Sequence, residues 1–313
     1  MRKNELISVV ICTYNRADLA RQAIKSILAQ DFPPSKFELL IVDNASTDHT
    51  HAVAQEFCSA YPNVRYFFES NIGLSNARNR GWQEAGGEYV AYIDDDCKVP
   101  PAWSSAASKI IEQVHPPAFG GPYFAFYNSP KPVWFKDEYG SHVQGQSARP
   151  LEAGEFLSGG NMFLRVDILR ELGGFKTGFG MKGNEQAYGE ETELFHRLRK
   201  ADPDSVIMYD PALFVYHLVR SDEMKLKNIL RRRFNGGRDY AKINKQTPHP
   251  NDLRLSFQVM MIFLRIVKST TWDLLLRDRS LYPYYQNSLY EVSFRLVANL
   301  GYCLGLLGKK NVV

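Results

Sequence analysis

Cysteine is scarce, with four in 313 residues at positions 12, 58, 97 and 303, and no CxxC pair. That scatter excludes a disulfide framework and a structural zinc site, and it suits a reducing compartment. Long apolar runs are missing too. The longest, 259–267 and 296–307, are too short to span a bilayer, and Arg265 interrupts the first. The N-terminal stretch MRKNELISVVICTYN turns polar quickly, which argues against a secretory signal and for a cytoplasmic location. No GxGxxG or GxxxxGK loop follows the first apolar run, which weakens dinucleotide and P-loop readings. Internal repeats and low-complexity tracts are also lacking.

What is present is enough for a large core, since 44% of the residues are hydrophobic. The net charge of +4 conceals an asymmetry. Residues 1–219 carry 21 Lys+Arg against 27 Asp+Glu, a net of −6, whereas 220–313 carry 17 against 7, a net of +10. The C-terminal third is a basic module.

The β-branched run LISVVICT, 6–13, predicts a strand buried on both faces of a parallel sheet. Residues 17–30 place Ala20, Ile24, Ile27 and Leu28 on one helical face and stop before Pro33 and Pro34. The alternation recurs, with strands at 37–42, 64–68 and 89–93 and helices at 47–60 and 74–85, and Asn44 and Ser46 are the expected caps of the second helix. Four such alternations predict a doubly wound, mostly parallel α/β sheet flanked by helices, with ligands at the carboxyl ends of the strands. TYNR (13–16), DNAS (43–46), ESNIGLSNARN (69–79) and DDD (94–96) all follow strands and should converge on one rim.

Beyond residue 100 the pattern loosens. The Pro-, Gly- and aromatic-rich stretch 116–158 reads as irregular structure covering the rim, and 161–164 as a short apolar element. A helix at 166–172 ending at Gly173, a mobile loop at 178–184, a helix at 190–200 and strands at 206–209 and 212–217 follow. From 223 the pattern is helical, with Leu226, Ile229, Leu230 and Phe234 in one stripe beside the arginine run 231–233. The chain thus divides into residues 1–220 and a helical, basic extension, 221–313.

YIDDDC, 92–97, sets three aspartates side by side. Unpaired carboxylates repel and resist leaving water, so the cluster needs full solvation, protonation or a cation. On an extended chain Asp94 and Asp96 share a face and Asp95 points away. Such an oxygen pair selects Mg²⁺ or Mn²⁺, whose open positions accept phosphate oxygens. A solvated acidic turn is the bland alternative.

In order and spacing SVVICTYNR, LLIVDNASTD, NIGLSNARNRGWQEAGGEYVAYIDDDC, GGNMFLR, LGGF and GEETELFHRL resemble the family 2 inverting glycosyltransferases of GT-A fold, over residues 6–220. The resemblance implies metal-dependent, inverting transfer of a sugar from a nucleotide-sugar, by family preference a UDP-sugar, with Mn²⁺ or Mg²⁺ as cofactor. The implied acceptor is a hydroxyl of a glycan or lipid-linked glycan in cell-surface polysaccharide synthesis. It also implies that Thr13, Tyr14 and Arg16 flank the nucleotide, that Asp43 accepts a hydrogen bond from the base, and that Arg78 faces phosphate. Asp96 becomes the main metal ligand, with Asp94 and Asp95 toward the ribose or a second metal contact and His217 reaching the metal or diphosphate. Gly160, within 159–161, lines the donor or acceptor pocket. Glu191 becomes the general base with Glu190 beside it, although the family usually has Glu-Asp there and Glu191 is one methylene longer.

Each residue also has a plainer role: a turn for Asp43, rim packing for Tyr14, an ion pair with the aspartates for Arg78, helix-dipole partners for Glu190 and Glu191, tight turns for the glycines, a structural histidine at 217. The basic extension suits an anionic inner membrane surface, which would make the protein peripheral there; its apolar stripes could equally pack on the catalytic part or on a second copy in a homo-oligomer. Nucleic acid is not an expected partner. The rival functions are a nucleotidyltransferase or nucleotide-sugar hydrolase, and a noncatalytic nucleotide-sugar-binding subunit.

Overall fold

The computed structural model describes residues 7–183, 187–243 and 252–308. Expectations for residues 1–6 and Asn184 lie outside them. In chain order the elements are β1 (Ile7–Thr13), α1 (Ala17–Leu28), β2 (Phe37–Asp43), α2 (Thr50–Ala60), β3 (Val64–Phe68), α3 (Leu74–Glu84), β4 (Tyr89–Asp94) and β5 (Cys97–Lys98). Then come α4 (Trp103–Gln113), β6 (Ala118–Gly120), β7 (Tyr123–Phe126), α5 (Asp137–Gly140), β8 (Arg149–Pro150), β9 (Asn161–Arg165) and α6 (Val166–Leu172). The chain continues through α7 (Glu190–Ala201), β10 (Ile207–Tyr209), β11 (Val215–Leu218), α8 (Leu226–Ile243), α9 (Asp252–Leu276) and α10 (Tyr285–Leu307).

An eight-stranded sheet runs β3-β2-β1-β4-β9-β6-β10-β8, and a three-stranded sheet runs β5-β11-β7. The strands β3, β2, β1 and β4 are parallel, as the buried runs predict. Alternate residues of β1 feed two cores. Val9 and Ile11 pack with Ile24 and Ile27 of α1, Val53 of α2 and Trp103 of α4, while Val10 packs with Ala77 of α3, Leu169 of α6 and Leu194 of α7. Each such aliphatic side chain contributes about 1.5–3 kcal/mol when removed from water.

Two expectations are corrected and a third, for 161–164, is made specific. The stretch 116–158 is not wholly irregular, because β6 lies inside the sheet and its Phe119 ring stacks on Phe163 of β9 at 4.4 Å. The apolar element at 161–164 is strand β9, antiparallel to both β4 and β6, so the sheet is mixed. The strand expected at 212–217 begins only at Val215, because Pro211–Leu213 forms a 3-10 turn capped by the Asp210 carboxylate, which accepts from Ala212 N–H at 2.8 Å.

The second helix starts at Thr50 rather than 47. Asn15 Oδ1 accepts from the N–H groups of Thr47 and Asp48, at 2.7 and 3.2 Å, and holds those residues in a turn. Asp48, not Asn44 or Ser46, does the capping: its carboxylate accepts from Thr50 N–H at 3.0 Å and from Ala17 N–H at 3.1 Å, so it serves the first turns of both α2 and α1. Asn44 instead ties the end of β2 to the next loop, donating to the carbonyls of Glu69 and Asn71 and accepting from Gly73 N–H at 2.7 Å. Asp48→Ala is expected to cost about 1–2 kcal/mol, because it strips two helix starts at once; urea unfolding of the two proteins measures it, and an unchanged midpoint would refute the shared cap.

Two compact units form. The first comprises Met1–Phe126, Gly140–Asn184 and Glu190–Leu218, and the second comprises Tyr127–Tyr139, Glu185–Gly189 and Val219–Val313. In the second unit α8 and α10 touch backbone to backbone: a Cβ on Gly237 would strike the Ala298 carbonyl, and one on Gly301 the Phe234 carbonyl. Its core gathers Ala241, Leu255, Cys303 and Leu306. Among the described residues no helix is long and apolar enough to cross a membrane.

Candidate active site

The carboxyl ends of β1, β2 and β4 bring Thr13, Asp43 and Asp94 to one rim. Because β4 stops at Asp94 and the chain turns at Asp95 and Asp96 before β5, the expected alternation of the triplet is broken. Asp94 faces Arg78, its Oδ1 3.5 Å from Nη2. Asp95 and Asp96 share Arg16, whose Nη1 lies 2.9 and 3.2 Å from them. Burial pushes Asp95 up to about 6, with Arg16 opposing and the neighbouring Asp96 charge adding to the rise. Arg16 is therefore engaged by the aspartates, a pairing that a purely local reading of TYNR could not disclose.

The antiparallel pairing of β5 and β11 sets His217 opposite Cys97. His217 Nε2 stands 3.3 Å from Asp96 Oδ1, and Asp96, Cys97 and His217 each offer a ligand atom within 4.8 Å of the others. Asp94 is not in this cluster. Cys97 was not anticipated; its place next to Asp96 in YIDDDC was visible, but its facing depends on a partner strand 120 residues away. Oxygen, imidazole and sulfur donors in one place are a set that a divalent transition-metal ion can use.

Arg78, on α3 and 2% exposed, donates from Nη1 to Glu190 Oε1 at 2.8 Å. Glu190 and Glu191 open α7, where the helix N-terminus favours negative charge. Their surroundings nevertheless separate them. Glu190 is ion-paired, whereas Glu191 Oε2 is buried and has no hydrogen-bond partner among the described residues. Burial, together with the charge of Glu190 and against the pull of Arg78, pushes the Glu191 carboxyl up to about 8.

Gly159 and Gly160 do form a tight turn, closed by Asn161 N–H donating to the Ser158 carbonyl at 3.0 Å, but neither has a positive φ, so the turn alone does not require glycine. Close approach requires it: a Cβ on Gly160 would lie 2.5 Å from Asp94 Oδ2, and one on Gly159 would collide with the Arg78 guanidinium. Gly159→Ala is expected to dislodge Arg78 from Glu190 and lower turnover about tenfold or more, whereas Gly160→Ala meets only the half-exposed Asp94, which can turn aside. Equal losses in a kinetic comparison of the two would contradict this. Asn161 is fully buried and bonded, accepting from Trp103 Nε1–H at 3.1 Å and donating to the Pro122 and Leu213 carbonyls, so it belongs to the scaffold.

Asp43 is buried, with Oδ1 accepting from Ser46 N–H at 2.8 Å and Oδ2 from the Tyr66 hydroxyl at 3.0 Å. It is thus a turn aspartate, and each oxygen keeps a further lone pair. Thr13 is buried and its carbonyl accepts from Asn44 N–H. Tyr14 is half-buried, near Ile72 and Gly183. The loop expected to be mobile is tied to α3 over its described part: Leu74 N–H donates to the Met181 carbonyl at 2.8 Å and the Ser75 hydroxyl to that of Phe179 at 2.8 Å.

A doubly wound sheet with an aspartate triplet on its rim and a paired glutamate beyond it is the framework of a GT-A glycosyltransferase. The model of Glycosyl transferase family 2 matches residues 8–173, and the chain belongs to that family. Glycosyltransferase AglE of Haloferax volcanii is 29% identical over 170 residues, 54% of this chain and 55% of AglE, so the chain spans about half of that relative. Glucosyl-dolichyl phosphate glucuronosyltransferase of the same organism is 26% identical over 308 residues, 96% of each chain. Among solved structures, mannosyltransferase PcManGT from Pyrobaculum calidifontis, in complex with GDP-Man and Mn²⁺, shares the fold with a TM-score of 0.65 at 18% identity, over 97% of this chain and 88% of that one.

Proposed function

We propose that this glycosyltransferase moves a hexose from a UDP-sugar to a hydroxyl of a lipid-linked glycan, by one displacement that inverts the anomeric carbon, with Mn²⁺ as cofactor. The observation that carries the reading is Glu191, whose Oε2 is buried without a hydrogen-bond partner among the described residues, beside a network, Glu190–Arg78–Asp94, that reaches the triplet. Glu191 takes the acceptor proton. Arg78 occupies Glu190 in an ion pair, which leaves Glu191 as the glutamate available to the acceptor. Asp43 accepts from the base N–H with its remaining lone pairs, and the Tyr14 ring packs on the base.

Asp96 and His217 would hold the cation, with the Cys97 thiol near them but pushed by burial toward its protonated form, and the imidazole donor suits Mn²⁺ better than Mg²⁺, which is bound through oxygen. When bound, it offsets the charge developing on the diphosphate leaving group. The lipid-linked acceptor is supported by the relative that matches over nearly its whole length, which acts on glucosyl-dolichyl phosphate.

The test is incubation of the purified chain with Mn²⁺, UDP- and GDP-sugars and a panel of isoprenoid-phosphate-linked acceptors, with NMR of the product. A UDP-dependent glycoside of inverted configuration is expected. Free sugar alone would overturn transfer, retained configuration would overturn the single displacement, and a GDP preference would overturn the assigned donor.

A further inference from the structure

Helix α9 is apolar on two opposite faces, and only one of them is used. Leu255, Val259 and Ile262 pack with Ala241 of α8 and with Tyr302, Cys303 and Leu306 of α10. At about 100° per residue, Leu253, Phe257, Met260, Leu264, Val267 and Leu275 form a second stripe roughly opposite the first. All six are exposed, from 45% at Val267 to 83% at Leu253. The stripe runs roughly 30 Å at 1.5 Å per residue. A contiguous apolar surface of that extent marks a docking face rather than ordinary surface noise.

The charges choose the occupant. Arg254, Arg265 and Lys268 fall along one flank of the stripe, and Arg277 and Arg279 follow it, in a region whose net charge is +10. Trp272 on α9 and, further along the chain, Tyr284 and Tyr285 are exposed, side chains that favour the boundary between hydrocarbon and water. A second copy would bring the same basic flank against its own, whereas an anionic bilayer offers both an apolar interior and opposite charge. Spanning is excluded for α9 as for the other described helices, since none is apolar enough.

We propose that α9 lies flat in the surface of an anionic membrane, its Leu253–Leu275 stripe entering the acyl boundary and its basic flank meeting lipid phosphates. The proposal names where the lipid-linked acceptor would be met, and in that respect rests on the preceding reading; vesicle binding is scored without sugar transfer, so the two can fail separately.

The test uses the full chain and vesicles of phosphatidylcholine, alone or mixed with phosphatidylglycerol. Sedimentation with the mixed vesicles, weakened by salt, is expected, with about tenfold or greater loss in the Phe257→Glu/Leu264→Glu double variant and a comparable loss in Arg265→Glu/Lys268→Glu. Both variants alter exposed side chains, and unchanged circular dichroism and nucleotide-induced thermal shift establish that they fold. Vesicle binding that survives the double variant would overturn the proposal. So would a stable dimer, seen by sedimentation equilibrium, that the double variant dissociates while vesicles leave the parent chain in the supernatant.

Discussion

Glu191→Gln is expected to lower kcat about 10³-fold while leaving donor binding nearly unchanged, because the amide keeps the shape of the carboxyl but cannot take a proton. The pH dependence carries the same signature. Only the ionised carboxyl can act as base, and its burial holds the proton until about pH 8, so turnover should climb as pH rises through that value. The stability consequence has the opposite sign. With the carboxyl raised from 4.5 to about 8, its protonated form stabilises the fold, fully below the lower value and decreasingly as pH rises through the upper one. Glutamine imitates the protonated form at every pH. The variant should therefore match the parent in thermal stability near pH 4 and exceed it by a margin that grows through pH 6 and levels off above pH 8. A pH-independent difference, or turnover within threefold of the parent, would remove Glu191 from the proposed role.

The second large effect is expected at Asp96, which accepts from Arg16 and faces His217. Asp96→Asn should abolish the rise in melting temperature that Mn²⁺ produces and lower turnover by about 10³-fold, the scale of a lost charge-stabilising cation. For the parent, saturation at about 100 times Kd corresponds to about 2.7 kcal/mol of stabilisation. Without Mn²⁺ the variant should be no less stable than the parent, since the repulsion that Asp96 exerts on buried Asp95 is gone and Arg16 keeps its bond to Asp95. A Mn²⁺ shift that persists in the variant would place the cation elsewhere. His217→Ala, read the same way, should weaken the shift rather than erase it.

The parallel half of the sheet was legible because strands buried on both faces read as continuous apolar runs, and Val9 and Val10 do face different cores. β6 and β9 were not, because three to five residues give too little pattern and their places beside each other and β4 are long-range pairings. The rim itself was legible, as DNAS and DDD follow strands that end there. Which carboxylate meets which cation was not, because the turn at Asp95 and Asp96 replaces the strand alternation that the triplet seemed to obey. Asp48 escaped notice for a related reason: its partners are the starts of two helices far apart in the chain. Cys97 could be found only once β11 supplied His217 across from it.

The contact of α8 with α10 at Gly237 and Gly301 has a further consequence. An ordinary helix pair owes its cohesion to the expulsion of water, and that force fades when hydrocarbon replaces water. Two backbones in direct contact are held by dispersion, which does not depend on the solvent. Helices joined in this way would keep their grip in detergent or at an oily boundary, where a leucine-packed pair would loosen.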